Sequence, residues 1–322
     1  MHGAHGQAGH AHGNHDHHHH PHAPANHDRA FAIGVALNAG FVLAEVAAGL
    51  IANSVALLAD AMHNLGDILA LLLAWGASWL ARRPPTATRT YGWGRSSILA
   101  ALVNAILLLL ALGGIAWEAL ERLGAPQPID SGLVAWVGGI GIAINAASAA
   151  LFLRGRAADI NIRAAFLHMA ADALVSAGVV AAALLVGLTG WLWLDPLASL
   201  IIAALIAVGT WDLLRDAMGL ALDRVPRGID PARVRAALAA LPGVAEVHDL
   251  HIWSLSTTAP ALTAHLVRAP AAGPDAAPDA VPGLLARARE MLAAEFALHH
   301  ATLQIETAAE AESCPLRSDR VV

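Results

Sequence analysis

Long apolar runs alternate with short polar segments between residue 29 and about residue 220. Six of these runs approach or exceed the ~20 residues that a helix needs to cross a bilayer. Gly, Pro, Asn and Arg mark the breaks between them. The predicted spans cover residues 30–52, 54–81, 96–121, 132–153, 164–187 and 193–214. This pattern predicts an α-helical integral membrane protein with six transmembrane helices.

The composition agrees with a membrane protein. Of 322 residues, 57% are hydrophobic and only 14% are charged, whereas soluble domains contain roughly 25% charged residues. A large soluble protein is therefore excluded. The single cysteine, Cys314, also excludes a framework of intrachain disulfides.

The two ends of the chain differ from its apolar middle. Residues 1–28 hold eleven of the eighteen histidines and too few apolar residues to form a core, so we expect a disordered tail. Residues 29–220 form the predicted transmembrane domain. Soluble composition returns at residues 221–307, and residues 308–322 are predicted to be a C-terminal tail.

Residues 221–307 predict a small α+β domain. Asp230 followed by Pro231 is a good helix start, because Asp caps the helix and Pro suits its first turn. Apolar alternation predicts strands at residues 246–255, 261–268 and 302–306, with a second amphipathic helix at 284–296. The expected product is a three-stranded sheet with helices on one face.

Arginines are distributed unequally between the two sets of loops. The loops after the second, fourth and sixth spans contain ten arginines, and the three alternate loops contain only Arg122. By the positive-inside rule, both termini are expected to be cytoplasmic, in a multi-pass protein of the cell (inner) membrane.

Ionisable residues within apolar spans are costly and indicate a partner or a function. The second span contains His63 and Asp67, and the fifth contains His168 and Asp172. Residues at i and i+4 share one helix face. Two such faces packed together would present two imidazoles and two carboxylates, which suit tetrahedral Zn²⁺. The alternative is that these groups form interhelical hydrogen bonds.

Four more polar residues in the spans are candidates for an auxiliary role or a proton path. Asp60 precedes His63 by three residues on the same face, where it could orient a ligand, pass protons or pair with another helix. Asn38 and Glu45 lie on one face of the first span, and Asn104 lies in the third. Helix packing is the alternative for each asparagine.

These segments resemble the cation diffusion facilitator family, in its zinc-exporting type with His-x-x-x-Asp in helices 2 and 5. The resemblance extends from residue 31 to about residue 306, and the matching strings are residues 58–67, 91–95, 98–109, 161–176, 195–196 and 247–254. It implies a transporter, usually homodimeric, with a ferredoxin-like, metallochaperone-like cytoplasmic domain. Such proteins exchange cytoplasmic Zn²⁺ for external protons by alternating access. Carried over by position, the transport-site ligands are His63, Asp67, His168 and Asp172.

The resemblance also bears on further metal sites. Residues 81–95 contain no His, Asp or Cys, so the loop site of some family members is not expected here. In the cytoplasmic domain, His248 and His265 match metal-binding positions of some members, and His251 and Cys314 are further candidates. Ordinary surface or interface histidines are the alternative. In the N-terminal tail, metal capture is predicted for His17, His18, His19 and His20.

Three alternatives to a zinc exporter stay open. An exporter of Cd²⁺, Co²⁺ or Ni²⁺ would share the fold, because imidazole and carboxylate suit all of these borderline ions. An intramembrane metalloenzyme lacks support, because His-Glu-x-x-His is absent. A metal sensor is the third. We predict no enzymatic activity, and as partners membrane lipid, divalent metal ions, protons and a second copy of the chain, with no nucleic acid.

Overall fold

The computed structural model describes residues 26–153, 160–269 and 280–317. It shows a domain of six long helices followed by a small domain with a mixed sheet, which confirms the predicted fold class. The predicted capture residues His17–His20 lie outside the described residues. The long helices are α1 (Asn26–Ile51), α2 (Val55–Ala81), α3 (Ser96–Gly124), α4 (Ser131–Phe152), α5 (Ile160–Thr189) and α6 (Leu194–Ala221).

Among the described residues, five helices, α2 to α6, are long and apolar enough to cross a membrane. In α1 the described apolar stretch, Asn38–Ile51, is shorter than the other five, so the first of the six predicted spans stays a prediction. Large apolar side chains cover the outer faces of the helices; Trp117, for example, is 67% exposed. Such continuous apolar surface fits lipid and not water, so the chain is a multi-pass membrane protein.

Helix α2 lies at the centre of the helical domain and contacts α1, α3, α5 and α6. Small residues allow this close packing: a Cβ added at Gly66 would lie 2.8 Å from the Leu108 side chain of α3. Ala52, Ala56 and Ala59 belong to the apolar core between the helices. A polar side chain on α2 is therefore held close to several neighbouring helices.

The start of α2 is fixed to the start of α6 by a buried carboxylate. Asp195 accepts hydrogen bonds from the Ser54 hydroxyl and from the Val55 N–H, the latter at 2.9 Å. Ser54 in turn caps α2 by accepting from Leu57 N–H at 3.1 Å. Arg122 of α3 donates to the Asn53 carbonyl in the same turn at 2.6 Å. This end of the domain is thus closed by directional hydrogen bonds.

The second domain has the predicted order of helix, two strands, helix and strand. Strand β2 lies in the middle, antiparallel to β1 and parallel to β3. The elements are α7 (Pro231–Ala239), β1 (Val244–Ser254), β2 (Pro260–Arg268), α8 (Ala280–Phe296), β3 (His300–Glu306) and α9 (Ala308–Ser313).

Helix α9 occupies part of the segment that the sequence predicts as a C-terminal tail. Thr307 and Glu310 form a reciprocal capping box at its start, which satisfies backbone donors that a short helix leaves unpaired. Ala311 is buried against the domain, and α9 contacts β2 and β3. The segment predicted as a C-terminal tail therefore begins with a short helix at residues 308–313.

The turn between β1 and β2 contacts the start of α3. Thr257 N–H donates to the Ser97 hydroxyl at 3.0 Å. The backbones approach closely at Gly94, where an added Cβ would lie 2.7 Å from the Leu255 carbonyl oxygen. The two domains therefore touch at a position where only glycine fits without displacement.

Candidate metal centres

Helices α2 and α5 bring the two His-x-x-x-Asp motifs together in a crossed arrangement. His63 Nε2 of α2 lies 3.1 Å from Asp172 Oδ1 of α5. His168 Nε2 of α5 lies 3.3 Å from Asp67 Oδ2 of α2. Each imidazole thus contacts the carboxylate of the opposite helix. We call these four residues the α2–α5 site.

The ligand-type atoms of the α2–α5 site are close enough for one ion. One atom each from His63, Asp67 and Asp172 lies within 4.8 Å of the others. His168 falls outside that trio, but its Nε2 lies 3.7 Å from Asp172 Oδ2. The Asp172 side chain is 4% exposed and that of His168 46%. The site is therefore closed on one side and open on the other.

A cavity of about 910 Å³ opens on the exposed side of the site. Asp67, His168 and Asp172 line it, together with Asn38 of α1 and Asn145 of α4. On α2 its wall continues past Asp67 through Ala70, Leu71 and Ala74, towards the end of the helix that precedes the arginine-rich loop.

Two buried polar pairs flank the site. Asp60 accepts a hydrogen bond from the Ser176 hydroxyl at 2.7 Å. Asn64 donates to Glu45 at 3.1 Å. Asp60, Ser176 and Glu45 are fully buried. The two acids therefore lie beside the α2–α5 site, as auxiliary groups would, and outside the trio that could share an ion.

The remaining predicted auxiliary residues separate into two places. Asn38 lines the open cavity. Asn104 instead lines a different cavity of about 400 Å³, bounded by α2, α3, α6 and the turn between β1 and β2. Sequence reasoning did not single out Asn64 or Ser176. Their only signal is a small polar side chain within an apolar run, close in sequence to a site residue.

A second cluster of metal-ligand side chains lies in the cytoplasmic domain. One ligand atom each from His248, His265, Glu306 and Cys314 lies within 4.8 Å of the others. His265 Nδ1 is 3.0 Å from Glu306 Oε1 and 3.7 Å from Cys314 Sγ. His248 Nε2 is 3.2 Å from Glu306 Oε2. We call these residues the cytoplasmic cluster.

Strand register explains the composition of the cytoplasmic cluster. His248 and His265 are direct partners across β1 and β2, whereas β3 adds Glu306 and α9 leads to Cys314. The sequence pattern did not single out Glu306 as a ligand. His251 lies outside the four-atom group, because a bulge with Asp249 at φ +50° intervenes and His251 bonds to Asp249 at 2.8 Å.

A helical membrane domain with an intramembrane His and Asp site, followed by a small α+β domain, defines a class of membrane transporter for metal cations. A family model described as "Cation efflux transmembrane domain" matches residues 31–220. A second, "Cation efflux protein, cytoplasmic domain", matches residues 226–308. The chain belongs to the cation efflux family, the cation diffusion facilitators. The predicted family and its activity, efflux of divalent metal cations, are confirmed.

Several curated relatives are similar over most of their length. The metal cation efflux system protein CzcD of Cupriavidus metallidurans is 37% identical over 285 residues, 88% of each chain. The zinc transporter ZitB of Escherichia coli is 36% identical over 283 residues, 87% of this chain and 88% of the relative. The cadmium, cobalt and zinc/H(+)-K(+) antiporter of Bacillus subtilis is 34% identical, covering 71% and 74%.

Among solved structures, the metal-bound C-terminal domain of the CzcD transporter is 38% identical. The aligned region covers 24% of this chain and 99% of that domain, with a TM-score of 0.20.

Proposed function

We propose that this chain exports Zn²⁺ from the cytoplasm in exchange for protons, with the α2–α5 site as the transport site. The crossed contacts between the two helices carry this proposal. In these contacts two imidazoles and two carboxylates lie on facing helices, beside a cavity of about 910 Å³. The two carboxylates match the charge of a divalent ion, which offsets the cost of holding it in a low-dielectric domain.

Zinc is the metal that best fits the donor atoms. A set of two nitrogen and two oxygen donors suits tetrahedral Zn²⁺, whereas Mn²⁺ and Mg²⁺ prefer oxygen alone. The ZitB relative is named a zinc transporter, which supports this choice. The Bacillus subtilis relative is named for cadmium and cobalt as well, so a substrate range that includes Cd²⁺ and Co²⁺ is the main variant of the proposal.

Proton exchange follows from the chemistry of the ligands. His and Asp must be deprotonated to hold a metal ion, so metal binding releases protons and proton binding releases metal. Imidazole titrates near physiological pH, which makes it suitable for this exchange. The name of the Bacillus subtilis relative, an antiporter, agrees with such a cycle.

The direction of transport, out of the cytoplasm, is proposed from the orientation of the chain and from its membership of the cation efflux family, because an alternating-access cycle is in principle reversible. The cavity extends towards the arginine-rich end of α2, which is cytoplasmic by the positive-inside rule. In the opposite conformation of an alternating-access cycle, the buried Asp60–Ser176 contact would separate and the cavity would close. We further propose a location in the inner membrane with both termini cytoplasmic, and a homodimer built partly by the cytoplasmic domains.

The test is zinc flux into proteoliposomes with an imposed pH gradient. Wild type should move Zn²⁺ only when protons move in the opposite direction. Asp67→Asn and Asp172→Asn preserve side-chain shape and remove one charge each, so both should fall to the leak of protein-free liposomes. Asp212→Asn, on α6 and absent from the α2–α5 contacts, is the matched control and should retain flux. Equal flux in all four proteins would refute the assignment of the site.

The same vesicles separate the metal alternatives. Flux of Cd²⁺, Co²⁺, Ni²⁺ and Mn²⁺ is measured at equal concentrations against Zn²⁺. We expect Zn²⁺ to be preferred and Mn²⁺ to be the poorest substrate. A preference for Mn²⁺ would contradict the role of the two imidazoles.

A second activity, metal binding by the cytoplasmic cluster, is supported by its closely spaced ligand atoms. Its donor set of two His, one Glu and one Cys suits zinc in a closed, four-coordinate site. His248 and Glu306 are each under 5% exposed, so the ion would be shielded from water. Such a site would bind metal and would not transport it.

Co²⁺ provides a direct probe of this cluster, because Cys314 is the one cysteine of the chain. Bound Co²⁺ should show a near-ultraviolet sulfur-to-cobalt charge-transfer band in wild type. Cys314→Ser should abolish the band, and His265→Ala should weaken it. His251→Ala is the matched control and should leave it unchanged. A wild-type protein without the band would refute ligation by Cys314.

The predicted capture role of the N-terminal tail has its own test. A chain without residues 2–25 retains the whole of α1 and loses the His-rich segment. We expect its flux at saturating Zn²⁺ to match that of the full chain. Complete loss of flux would assign the tail to the transport step itself.

A further inference from the structure

The loop between α2 and α3, residues 82–95, is a strongly basic surface. It contains four arginines and no acidic residue. Arg95 pairs with Asp223 at the end of α6. Arg82, Arg83 and Arg89 are exposed, and none of them forms an ion pair with the parts of the chain that the structure describes. Within those described parts, three guanidinium charges therefore have no carboxylate partner. We call this segment the basic loop.

Two of these guanidinium groups lie over tryptophan rings. The Cζ atom of Arg83 is 4.2 Å from the centroid of the Trp79 ring, and that of Arg89 is 3.8 Å from the Trp93 ring. Stacking orients the planar guanidinium and leaves its N–H edge free for a bidentate contact with phosphate. Both groups are thus held in a geometry that suits a phosphate oxygen pair.

The backbone of the basic loop is also ordered before any ligand binds. Thr86 and Arg89 exchange two backbone hydrogen bonds of 3.1 Å each, and Arg89 N–H also lies 3.1 Å from the Thr86 hydroxyl. Pro84 and Pro85 restrict φ on the preceding side. A preorganised loop loses little conformational entropy when it binds a ligand.

The position of the basic loop identifies the kind of ligand. Trp79 is 54% exposed on the last turns of α2, a membrane-spanning helix, and exposed tryptophans at such ends sit at the level of lipid headgroups. A soluble anion would not require an exposed apolar ring beside the charges. Arginines immediately beyond a spanning helix attract the anionic lipids of the cytoplasmic leaflet.

We propose that the basic loop binds the headgroup phosphate of an anionic glycerophospholipid, through Arg82, Arg83 and Arg89. The rings of Trp79 and Trp93, each beneath one of these arginines, lie against the interfacial part of the lipid. Because this loop joins α2, which carries half of the α2–α5 site, to α3, a bound lipid would hold the cytoplasmic end of α2 in place. The binding itself does not depend on metal transport.

The experiment measures which lipid stays bound to the purified full chain. The protein in detergent is mixed with equal amounts of dioleoyl phosphatidylglycerol and dioleoyl phosphatidylcholine, then washed, and the retained lipids are counted by mass spectrometry. An arginine near an anionic surface contributes about 1 kcal/mol, about fivefold in affinity. In the triple variant Arg82→Gln, Arg83→Gln, Arg89→Gln, the ratio of retained phosphatidylglycerol to phosphatidylcholine should therefore be at least about tenfold lower than in wild type.

Two further variants distinguish an effect of the basic loop from an effect of total charge or of misfolding. Arg233, Arg287 and Arg289 are exposed on α7 and α8 of the cytoplasmic domain, and their replacement by Gln removes the same charge elsewhere. This control should retain the wild-type selectivity. Lysine at the three loop positions keeps the charge and removes the planar stacking, so selectivity should fall only in part.

Three outcomes would overturn the proposal. The glutamine variant of the loop could retain the wild-type lipid ratio, or both glutamine variants could lose selectivity equally. The third outcome comes from a separate measurement, the melting temperature of the purified wild-type chain with each added ligand. If sodium phosphate at matched ionic strength raises this temperature as much as phosphatidylglycerol does, the loop binds a soluble phosphate and not a lipid.

Discussion

The carboxylate that joins the starts of α2 and α6 provides a sharp test of the closed end of the domain. Asp195 is 3% exposed and accepts from two buried donors, the Ser54 hydroxyl and the Val55 N–H. Asp195→Ala removes both acceptors and leaves both donors buried in a region with little water. The turn between α1 and α2 should then no longer be fixed to α6.

The expected magnitude follows from the two unsatisfied donors. A buried donor without a partner costs about 1–3 kcal/mol, so two donors cost about 2–6 kcal/mol. The lower end is expected, because the substitution also removes a carboxylate that is itself costly to bury. At roughly 2–4 °C per kcal/mol for a domain of this size, the melting temperature should fall by at least roughly 4 °C.

The assay is thermal unfolding of the detergent-purified full chain, followed by tryptophan fluorescence. Asp195→Asn keeps one oxygen acceptor and should lose about half as much stability as Asp195→Ala. Asp212→Ala, an exposed position on the same helix, is the matched control and should melt as wild type does. An Asp195→Ala protein that melts within about 1 °C of wild type would refute the reasoning, since the turn would then be fixed by other contacts.

Two more predictions concern the cytoplasmic side. Gly94→Ala places a Cβ 2.7 Å from the Leu255 carbonyl oxygen, so it should displace the turn between β1 and β2 and speed its hydrogen exchange. Gly76→Ala, with no atom within 4 Å of the new Cβ, should not; equal exchange in both would show that the close approach is unimportant. The Arg317 guanidinium, at 3.1 and 2.9 Å, holds the pKa of Glu246 below its ordinary value of 4.5. The folded-state pKa is depressed, so this stabilisation is present above pH 4.5 and is lost as the pH falls through the lower value. Because the pair is exposed and screened by solvent, its contribution to stability is small. Glu246→Gln should therefore speed exchange near Arg317 at neutral pH and have no effect at acid pH, and a pH-independent difference would contradict the role of the charge.

Most of the fold could be predicted from local sequence patterns. Apolar runs fix the long helices, and turn residues fix their limits to within a few positions, except that α6 extends to Ala221 and not to residue 214. The three strands follow from alternation. Helix α9 was missed, because it has only six residues and depends on a cap and on packing against the sheet, neither of which has a long periodic signal.

The metal centres were predictable to different extents. The sequence indicated all four members of the α2–α5 site, because the same His-x-x-x-Asp spacing occurs in two apolar spans. The cytoplasmic cluster was indicated only in part. His248 and His265 are cross-strand partners, but Glu306 joins them through the parallel register of β3 beside β2, where Val267 and Glu306 are paired. No local pattern encodes that register.

Local sequence spacing is sufficient to establish which side chains share a face, because the helical repeat of 3.6 residues and the strand repeat of two are local properties of the backbone. It therefore determined that His63 lies above Asp67 and that His168 lies above Asp172. The tertiary packing was needed to show that each histidine meets the aspartate of the opposite helix, and that a cavity lies beside them. These features depend on how α1, α2, α4 and α5 pack, and packing is set by contacts between residues far apart in the chain.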